Sequence, residues 1–425
     1  MKATSLDEVL IYFNRQERLT GEQLKYWFVE REHTPRPQIR RWLNAQPHPQ
    51  KLLFIGHRGS GKSTELSKLA TEMSDRFISI GFDVLELTGR PNLEYEDLML
   101  MLLTRITHKC YEQGIIDRPL LEPVRDKWQE FQNWWQRMVA GLHFVGAGEG
   151  RTMGARLNLQ LVQLELGIRQ SADIRESIKR EVGSRIPELI DYLNWVIEQV
   201  EAATKQRLLV IIEGLDKVNL EAAKKLFLDN SAALTAPKAH IIFTCPSALL
   251  YAPDFHQIRQ PFSETFVLPN IAPLTGSDKP NKQGQMTLHQ LVSNRIELHL
   301  IDTRALNRVL TASGGVPTSL VRLIQNAAMV AEGATISIQD IHNAIRAERE
   351  FMTPLLTETD WQILRQRYAD RRLTADDETQ ILLYKGVLVE YRNHNDGQPW
   401  CNAHPILWDV LKKQVVEQTD EQVDP

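Results

Sequence analysis

The sequence predicts an α/β fold in which helices flank a parallel β-sheet, followed by a helical domain and a small helix–helix–hairpin domain. Short apolar runs, bounded by polar residues or glycine, recur between residues 51 and 268. Such runs are typical of parallel strands that are buried on both faces. Amphipathic patterns with helical spacing separate these runs. A glycine-rich loop joins the first run to a helix, so strands and helices alternate as they do in α/β proteins.

The composition fits a globular protein of several domains. The chain has 425 residues, of which 42 % are hydrophobic and 24 % are charged. At about 100–200 residues per domain, this length predicts two to four domains. The 50 basic and 54 acidic residues give a net charge of −4. This balance argues against a generally basic protein that coats nucleic acid.

Cysteine usage and hydropathy predict a cytoplasmic protein. Cys110, Cys245 and Cys401 are far apart and show no metal-ligand spacing. We expect them to be reduced thiols rather than disulfides. The sequence has no run of about 18 apolar residues, so we expect no transmembrane helix and no membrane partner.

The first part of the chain alternates between helical and strand patterns. Residues 1–45 carry apolar residues at helical spacing and predict an N-terminal helical segment. The run 51–55 predicts the first buried strand, and the pattern 62–73 predicts the helix after it. The stretch 77–87 is rich in β-forming residues and predicts more sheet. Residues 94–138 are predicted to be mostly helical.

A helical insertion is predicted over about residues 90–205. Trp128, Phe131 and Trp135 lie on one helical face, which we interpret as core rather than as a cofactor site. The glycine-rich residues 141–155 predict a loop or hairpin tip. The residues after them fit the periods of both a strand and a helix, so the pattern leaves this choice open.

Three further apolar runs complete the predicted sheet. They cover residues 208–212, 240–244 and 265–268. A helix precedes the first of them, and Pro187 either kinks this helix or restarts it. Together with the first strand, these runs predict a core domain at residues 46–275.

The rest of the chain predicts two smaller domains and a tail. A polar linker precedes four helical patterns, which place a helical domain at residues 276–350. Residues 351–416 show the order helix, helix and β-hairpin, which is the order of a winged helix. The hairpin carries Trp400, which we expect to be exposed. The acidic tail 417–425 is predicted to be disordered.

A phosphate-binding loop follows the first strand. The residues from Gly56 to Ser63 fit G-x-x-x-x-G-K-[ST]. The glycines let the backbone N–H groups face phosphates, and the next helix adds positive partial charge at its N-terminus. Lys62 is expected to reach the β- and γ-phosphates, and Ser63 to ligate Mg²⁺. The alternative is an ordinary glycine turn. The candidate nucleotide-binding residues are Gly56, His57, Arg58, Gly59, Ser60, Gly61, Lys62, Ser63 and Thr64.

Two acidic residues follow the apolar run 208–212. Glu213 is the candidate partner of Mg²⁺, because a carboxylate at a strand tip can hold the metal and its water shell. Asp216 is the candidate acid that activates the attacking water. The alternatives are a solvated strand-end acid for Glu213 and a capping residue of the next helix for Asp216.

Four segments of the chain resemble an AAA+/STAND P-loop ATPase. They are GHRGSGKST, VIIEGLDKV, HIIFTCPS and SGGVPTSLVRLIQNAA. The domain order is similar to that of the replication-initiator and signalling-NTPase branches, and the resemblance covers about residues 20–415. It implies a P-loop NTPase (ASCE) core that binds ATP and Mg²⁺, a helical lid at 276–350 and a winged helix at 351–416.

The resemblance also implies roles for single residues. Thr244 lies where the family places a polar sensor; the alternative is a strand-end hydroxyl bonded to the backbone. The family usually has aspartate at the place of Glu213, and its lid motif often has arginine where this chain has Thr318. Arg322 lies one helical turn later, on the same face, and is the candidate substitute. The alternative is a solvated surface arginine.

Two further expectations concern side chains that face away from the loop. Arg259 lies in the interval where such ATPases often carry an arginine that acts on a neighbouring subunit, so it is the candidate for that role. The side chains of His57 and Arg58 are expected to face outward, where a partner or the lid could contact them.

The leading functional hypothesis is an ATP-dependent molecular switch that controls assembly with a protein partner or with itself. The resemblance implies use in bacterial signalling or antiviral defence. The alternatives are a DNA-associated initiator or loader and a non-hydrolysing nucleotide-bound scaffold. From residue 351 onward the chain has eight basic and thirteen acidic residues, a balance of −5, which disfavours DNA. We therefore expect the predicted winged helix to pack on the core, on the lid or on a partner protein.

Overall fold

The computed structural model describes residues 2–14, 19–88, 93–115, 122–140, 176, 180–393 and 396–413. The glycine-rich residues 141–155, the undecided stretch after them and the tail 417–425 therefore lie outside the described residues. No helix within the described ranges has the length and apolar content that crossing a membrane requires.

A five-stranded sheet forms the centre of the part of the chain before the polar linker, which we call the first unit. All its neighbouring strands are parallel, in the order β2-β3-β4-β1-β5. The carboxyl ends of the strands therefore meet at one edge, as the sequence pattern predicts. The strands are β1 (Lys51–Gly56), β2 (Phe77–Asp83), β3 (Arg207–Glu213), β4 (His240–Pro246) and β5 (Glu264–Leu268).

Helices cover both faces of this sheet. Successive strand residues point to opposite faces, so Leu52 and Phe54 belong to one core and Leu53 and Ile55 to the other. This explains why β1 is apolar along most of its length. The helices that precede, connect and follow the strands are α1 (Leu6–Tyr12), α2 (Gly21–Trp27), α3 (Arg36–Ala45), α4 (Lys62–Glu72), α5 (Val84–Thr88), α6 (Tyr95–Glu112), α7 (Glu122–Ala140), α8 (Ile186–Thr204), α9 (Leu220–Lys224), α10 (Ser231–Thr235), α11 (Ser247–Leu250) and α12 (Phe255–Arg259).

The predicted strand over residues 77–87 is too long. Strand β2 ends at Asp83, and α5 begins at Val84. The Asp83 carboxylate accepts the backbone N–H of Leu85 at 2.9 Å. A side-chain bond of this kind satisfies a backbone donor at the start of a helical turn, and it explains why the β-forming residues that follow leave the sheet.

The helical insertion contains the predicted aromatic core. Trp128, Phe131 and Trp135 are all buried, and the ring centroids of Trp128 and Phe131 are 5.8 Å apart. Pro187 occupies the first turn of α8, where a missing N–H costs no hydrogen bond. The proline therefore restarts the helix rather than kinking it.

The four predicted helices after the polar linker are present, and we call them the four-helix unit. They share a buried core with Val9 of α1 and with Phe13, which follows α1 directly. The Gln325 side chain also donates a hydrogen bond to the Leu10 carbonyl at 3.0 Å. The N-terminal segment therefore contacts this unit through α1 and the sheet through α3. The four helices are α13 (Lys282–Ser293), α14 (Thr303–Ala312), α15 (Pro317–Val330) and α16 (Ile338–Met352).

Residues 358–413, which we call the C-terminal unit, have the predicted order of two helices and an antiparallel hairpin. Its core includes Ala248 of the first unit, and the Tyr384 hydroxyl donates to the Val218 carbonyl at 3.0 Å. The expected packing on the core of the chain is therefore present, while the name winged helix stays a prediction. The elements are α17 (Glu358–Asp370), α18 (Asp377–Lys385), β6 (Leu388–Arg392) and β7 (Pro399–Ala403), followed by helical residues 405–413.

The expected exposure of Trp400 is wrong. Trp400 is 9 % exposed, and its ring stacks on Tyr391 with centroids 4.5 Å apart. The indole also lies against Gly276. The hairpin folds onto the linker before the four-helix unit, and this long-range contact buries a side chain that the local sequence leaves exposed.

Candidate functional site

A cleft of about 520 Å³ lies at the carboxyl edge of the sheet. It brings together the predicted phosphate loop, the ends of β2 and β3, and the start of α15. Strand ends are the usual position of ligand sites in open α/β sheets. The cleft is lined by Arg58, Gly59, Gly61, Lys62, Ser63, Thr64, Asp83, Glu86, Glu213, Asp216, Lys217, Thr318 and Arg322.

The loop between β1 and α4 takes a shape that only glycine tolerates at two positions. Gly59 has φ +83° and Gly61 has φ +93°, in the left-handed region that side chains disfavour. A Cβ atom at Gly59 would also collide with the Thr318 hydroxyl. The Thr318 N–H donates to the Gly59 carbonyl at 3.3 Å. The loop and the four-helix unit therefore touch directly.

Lys62 is buried at the base of the loop. Its Nζ donates to the carbonyls of Gly56 at 2.7 Å and of His57 at 3.0 Å. It also forms an ion pair with Asp216 Oδ2 at 2.8 Å. Burial alone would raise the pKa of Asp216, but Lys62, together with the charge of Lys217 and a backbone hydrogen bond, outweighs burial and holds this pKa below its usual value. Asp216 is therefore ionised.

Glu213 ends β3 and is buried at the cleft edge. Residues Glu213, Asp216 and Ser63 all line the cleft, so the structure brings together the two acids and the hydroxyl that the sequence singles out. The strand, the glycine loop and this acidic strand end define the architecture. The chain has a P-loop NTPase fold.

Sequence reasoning missed a second lysine–aspartate pair in the cleft. Lys217 Nζ lies 2.8 Å from Asp83 Oδ2. Asp83 is the neighbour of Glu213 in the β2–β3 register. Gly214, with φ +85°, leaves room for this carboxylate, because a Cβ there would collide with Asp83 Oδ1. The strand-ending aspartate was visible in the sequence, but its neighbour across the sheet was not.

Thr244 has the contact that the alternative interpretation describes. Its hydroxyl donates to the Ile212 carbonyl at 3.2 Å, and the residue is buried. It joins β4 to β3 and does not line the cleft. A sensor role for Thr244 stays a prediction.

Arg322 is not a solvated surface residue. Its Nε lies 2.8 Å from Glu348 Oε2, and the Arg322 side chain is 27 % exposed. Asn326 donates to the other oxygen of Glu348 at 2.9 Å. These contacts hold the guanidinium at the cleft wall that α15 forms, one turn beyond Thr318.

The two predictions about outward-facing residues have different outcomes. Arg259 is exposed at the end of α12 and lies outside the cleft, so its action on another subunit stays a prediction. Arg58 is exposed as expected. His57 is buried, because the C-terminal unit covers it near Gly386. Burial lowers the pKa of His57 to about 4, so the imidazole is neutral near pH 7.

A small apolar pocket of about 70 Å³ adjoins the loop at Gly61 and Thr64. The N-terminal segment supplies one wall and the four-helix unit supplies the other. Sequence reasoning gave residues 1–45 no part in the site. The sequence signal for this pocket was the adjacent aromatic pair Trp27 and Phe28, which precedes Pro35 and Pro37. The apolar and cationic lining residues include Leu19, Trp27, Phe28, Val29, Arg31, Ile271, Leu291, Arg295 and Pro317.

No family model matches the sequence, and no curated protein matches it. Three solved structures are similar along nearly the whole chain. The Walker-type ATPase PABY2304 of Pyrococcus abyssi has 16 % identity and a TM-score of 0.46, with 94 % of this chain and 99 % of that chain covered. Cdc6p from Pyrobaculum aerophilum has 12 % identity and a TM-score of 0.33, with coverage of 96 % and 98 %. A RuvB variant of Thermotoga maritima has 12 % identity and a TM-score of 0.36, with coverage of 94 % and 98 %.

Proposed function

We propose that this protein binds ATP with Mg²⁺, hydrolyses it, and uses the cycle as a switch that controls assembly with a protein partner or with a second copy. The observation that carries the proposal is the position of Lys62. Its ammonium lies at the base of a glycine loop, between β1 and the N-terminus of α4, in contact with an ionised carboxylate of the cleft. A loop of this shape presents N–H groups to phosphate oxygens.

The cleft and the adjoining apolar pocket are suited to different parts of the nucleotide. The loop and Lys62 are suited to the phosphates, while the apolar pocket beside Gly61 is suited to the base. Trp27 and Phe28 line that pocket, and aromatic side chains bind bases by stacking. Because the pocket walls come from two parts of the chain, a bound base would tie the N-terminal segment to the four-helix unit.

Ser63 and Glu213 fit a Mg²⁺ site of the kind that NTPases use. No cluster of three histidine, cysteine or acidic side chains with metal-binding geometry occurs among the residues that the structure describes. Mg²⁺ in such sites takes few protein ligands and completes its shell with water and phosphate oxygens. When bound, the ion would neutralise charge on the β- and γ-phosphates.

The Lys62–Asp216 pair suggests how binding prepares the site. Asp216 neutralises Lys62 in this structure, so phosphates must compete with a carboxylate for the same ammonium. When they succeed, Asp216 loses its partner and gains the capacity to accept a hydrogen bond from water. Binding of ATP thus frees the Asp216 carboxylate in the same step. This supports Asp216 as the acid that orients the attacking water.

Contacts from the loop to both other units support a switch. Thr318 of α15 bonds to Gly59, and the Tyr391 hydroxyl of the C-terminal unit donates to the Gly314 carbonyl at 2.7 Å. His57 lies under the C-terminal unit near Gly386. A loop that changes shape around phosphates would disturb the contacts of Gly59 and His57, while the Tyr391–Gly314 bond links the two contacted units to each other. Such differential contacts are what shift a conformational equilibrium.

The function as a DNA-associated loader has less support. The helix that would enter a groove, α18, begins with Asp377 and Glu378, and Asp376 caps it by accepting the Thr379 N–H at 2.7 Å. Carboxylates at this end suit the helix dipole but oppose a phosphate backbone. Bacterial signalling or antiviral defence is a use that such a switch would serve. We also propose a cytoplasmic location, where the three free, buried cysteines stay reduced.

The proposal is tested by nucleotide binding, turnover and mass. Calorimetry with ATP and Mg²⁺ should show saturable binding, and phosphate release should accompany it. Light scattering after size exclusion should give a different mass or radius with ATP–Mg²⁺ than without nucleotide. DNA added to the same runs should not co-elute at physiological salt. No binding of ATP by the wild-type chain would refute the proposal, and co-elution with DNA would favour the loader.

A further inference from the structure

Lys217 is the second lysine of the cleft, and it is held differently from Lys62. It belongs to the turn after β3, in which its backbone N–H donates to the Gly214 carbonyl at 3.0 Å. Its side chain is 35 % exposed, against 4 % for Lys62. The turn therefore fixes the backbone of Lys217, while its ammonium can move within the cleft.

The surroundings of Lys217 are strongly acidic. Asp83, Asp216 and Glu213 all act on its charge. Burial alone would lower the pKa of Lys217, but the ion pair with Asp83 and the other two carboxylates raise it on balance. The ammonium is thus charged, and it lies beside both acids that the proposed function uses.

We propose that Lys217 supplies, from within the same chain, the cation that contacts the terminal phosphate of ATP during hydrolysis, and that Asp83 positions it beforehand. This inference rests on the proposed function. Lys62 is enclosed by two loop carbonyls and Asp216, and Arg259 lies outside the cleft. Lys217 is the lysine of the cleft that combines exposure with a flexible stem.

The chemistry of the step needs such a charge. Water attacks the γ-phosphorus and forms a new P–O bond. The bond to the β,γ-bridging oxygen breaks, and its electron pair stays on ADP. The proton of the water passes to a cleft carboxylate and then to solvent. Negative charge develops on the transferred oxygens and on the leaving oxygen, and a nearby cation stabilises it.

If the cation comes from the same chain, hydrolysis should not require assembly of several chains. If Lys217 supplies the charge, turnover per chain should not depend on protein concentration. If an arginine of a neighbouring subunit supplied it, turnover would rise with oligomer formation, and Arg259→Ala would lower it. The comparison requires only a dilution series of the full chain.

The mutational test separates a catalytic contact from a structural ion pair. Lys217→Met should lower kcat at least about tenfold, as loss of one charge-stabilising group does, while the Kd for ATP changes less than about threefold. The affinity for ADP with aluminium fluoride, a mimic of the transferring phosphoryl group, should fall with kcat. Lys217→Arg should restore part of both. The matched control is Lys225→Met, which removes a surface lysine paired with Glu221 and should change neither.

The charge swap Asp83→Lys with Lys217→Asp decides between the two roles. It keeps an ion pair in the turn but exchanges the positions of the charges. If the pair is only structural, the swap restores turnover and overturns the inference. Wild-type turnover by Lys217→Met also overturns it, as does a wild-type chain that binds ATP but neither hydrolyses it nor binds ADP–aluminium fluoride more tightly than ADP. By contrast, a wild-type chain that binds no ATP refutes the proposed function itself.

Discussion

Two lysine–aspartate pairs line the same cleft and differ mainly in burial. Lys62 and Asp216 expose 4 % and 6 % of their side chains, whereas Lys217 and Asp83 expose 35 % and 12 %, and both pairs span 2.8 Å. Identical chemistry thus occurs in two environments. A buried pair is costly to break because the remaining charge is left without solvent, whereas an exposed pair contributes little to stability. The buried pair therefore stabilises the frame of the loop until phosphates displace Asp216 from Lys62, whereas the partly exposed pair can open in solvent.

The largest effect is expected from breaking the buried pair. Lys62→Ala should weaken ATP binding at least tenfold, or about 1.4 kcal/mol, because the ammonium that meets the phosphates is lost. It should also lower the free energy of unfolding by about 3–5 kcal/mol, because Asp216 stays buried without its partner. Calorimetry and urea unfolding measure the two effects.

The double variant Lys62→Ala with Asp216→Asn is the control for that interpretation. It removes the unpaired charge, so it should recover most of the lost stability but none of the ATP affinity. Unchanged ATP binding by Lys62→Ala would contradict the assignment of the loop.

The next largest effect is expected from the two acidic residues at and just after the end of β3, Glu213 and Asp216. Glu213→Gln should still bind ATP but lose about 10²-fold or more in turnover, because it removes a charge and keeps the volume. Single-turnover phosphate release and ATP titration give the two quantities. If Asp216→Asn abolishes turnover while Glu213→Gln hydrolyses normally, the roles of the two acids are exchanged.

Glu390 offers a contrast to the two ion pairs, because its buried carboxyl lies next to a tyrosine rather than a lysine. Burial raises the pKa of Glu390 to about 7, although the Tyr251 hydroxyl and the charge of Arg392 oppose this. The folded chain therefore holds this proton more tightly than the unfolded chain, so the contribution of Glu390 to stability falls as pH rises from 4.5 to about 7. Glu390→Gln, which keeps the neutral form, should be more stable than wild type at pH 8 and similar at pH 4.5. Urea unfolding at both values checks this.

The two ion pairs should contribute constant stability over the same range. The pKa of Asp216 is lowered, so its contribution is full above the ordinary value of 3.8 and is lost as pH falls through the folded value. The pKa of Lys217 is raised, so its contribution is full below 10.5 and is lost as pH rises through the folded value. A loss of stability between pH 5 and 8 that Glu390→Gln does not remove would contradict this assignment.

The smallest effect is expected from the partly exposed pair, Lys217 and Asp83. Asp83→Asn should change the free energy of unfolding by no more than about 1 kcal/mol, because solvent replaces part of the lost interaction. Thermal and urea unfolding at low and high salt measure this. A loss as large as that of Lys62→Ala would show that the second pair is also part of the frame.

The sequence by itself predicted the local elements of the site, because local rules produce them. The glycine pattern defines the loop, the apolar run before it predicts β1, and the helical period after it predicts α4. The same rules found Glu213 and Asp216 after a second apolar run. Each of these features depends on backbone freedom, on strand burial or on side-chain period within a few residues.

Only the tertiary structure decided which of these residues meet. Asp216 contacts Lys62, and Asp83 lies beside Glu213, because of the strand order and the β2–β3 register. The local sequence determines neither the strand order nor the register, since the same strand patterns are compatible with other strand orders. His57 and Trp400 are buried by units distant in the chain, which no local pattern could reveal. Side-chain period predicts what an element is, whereas contacts between elements depend on how their buried faces pack together.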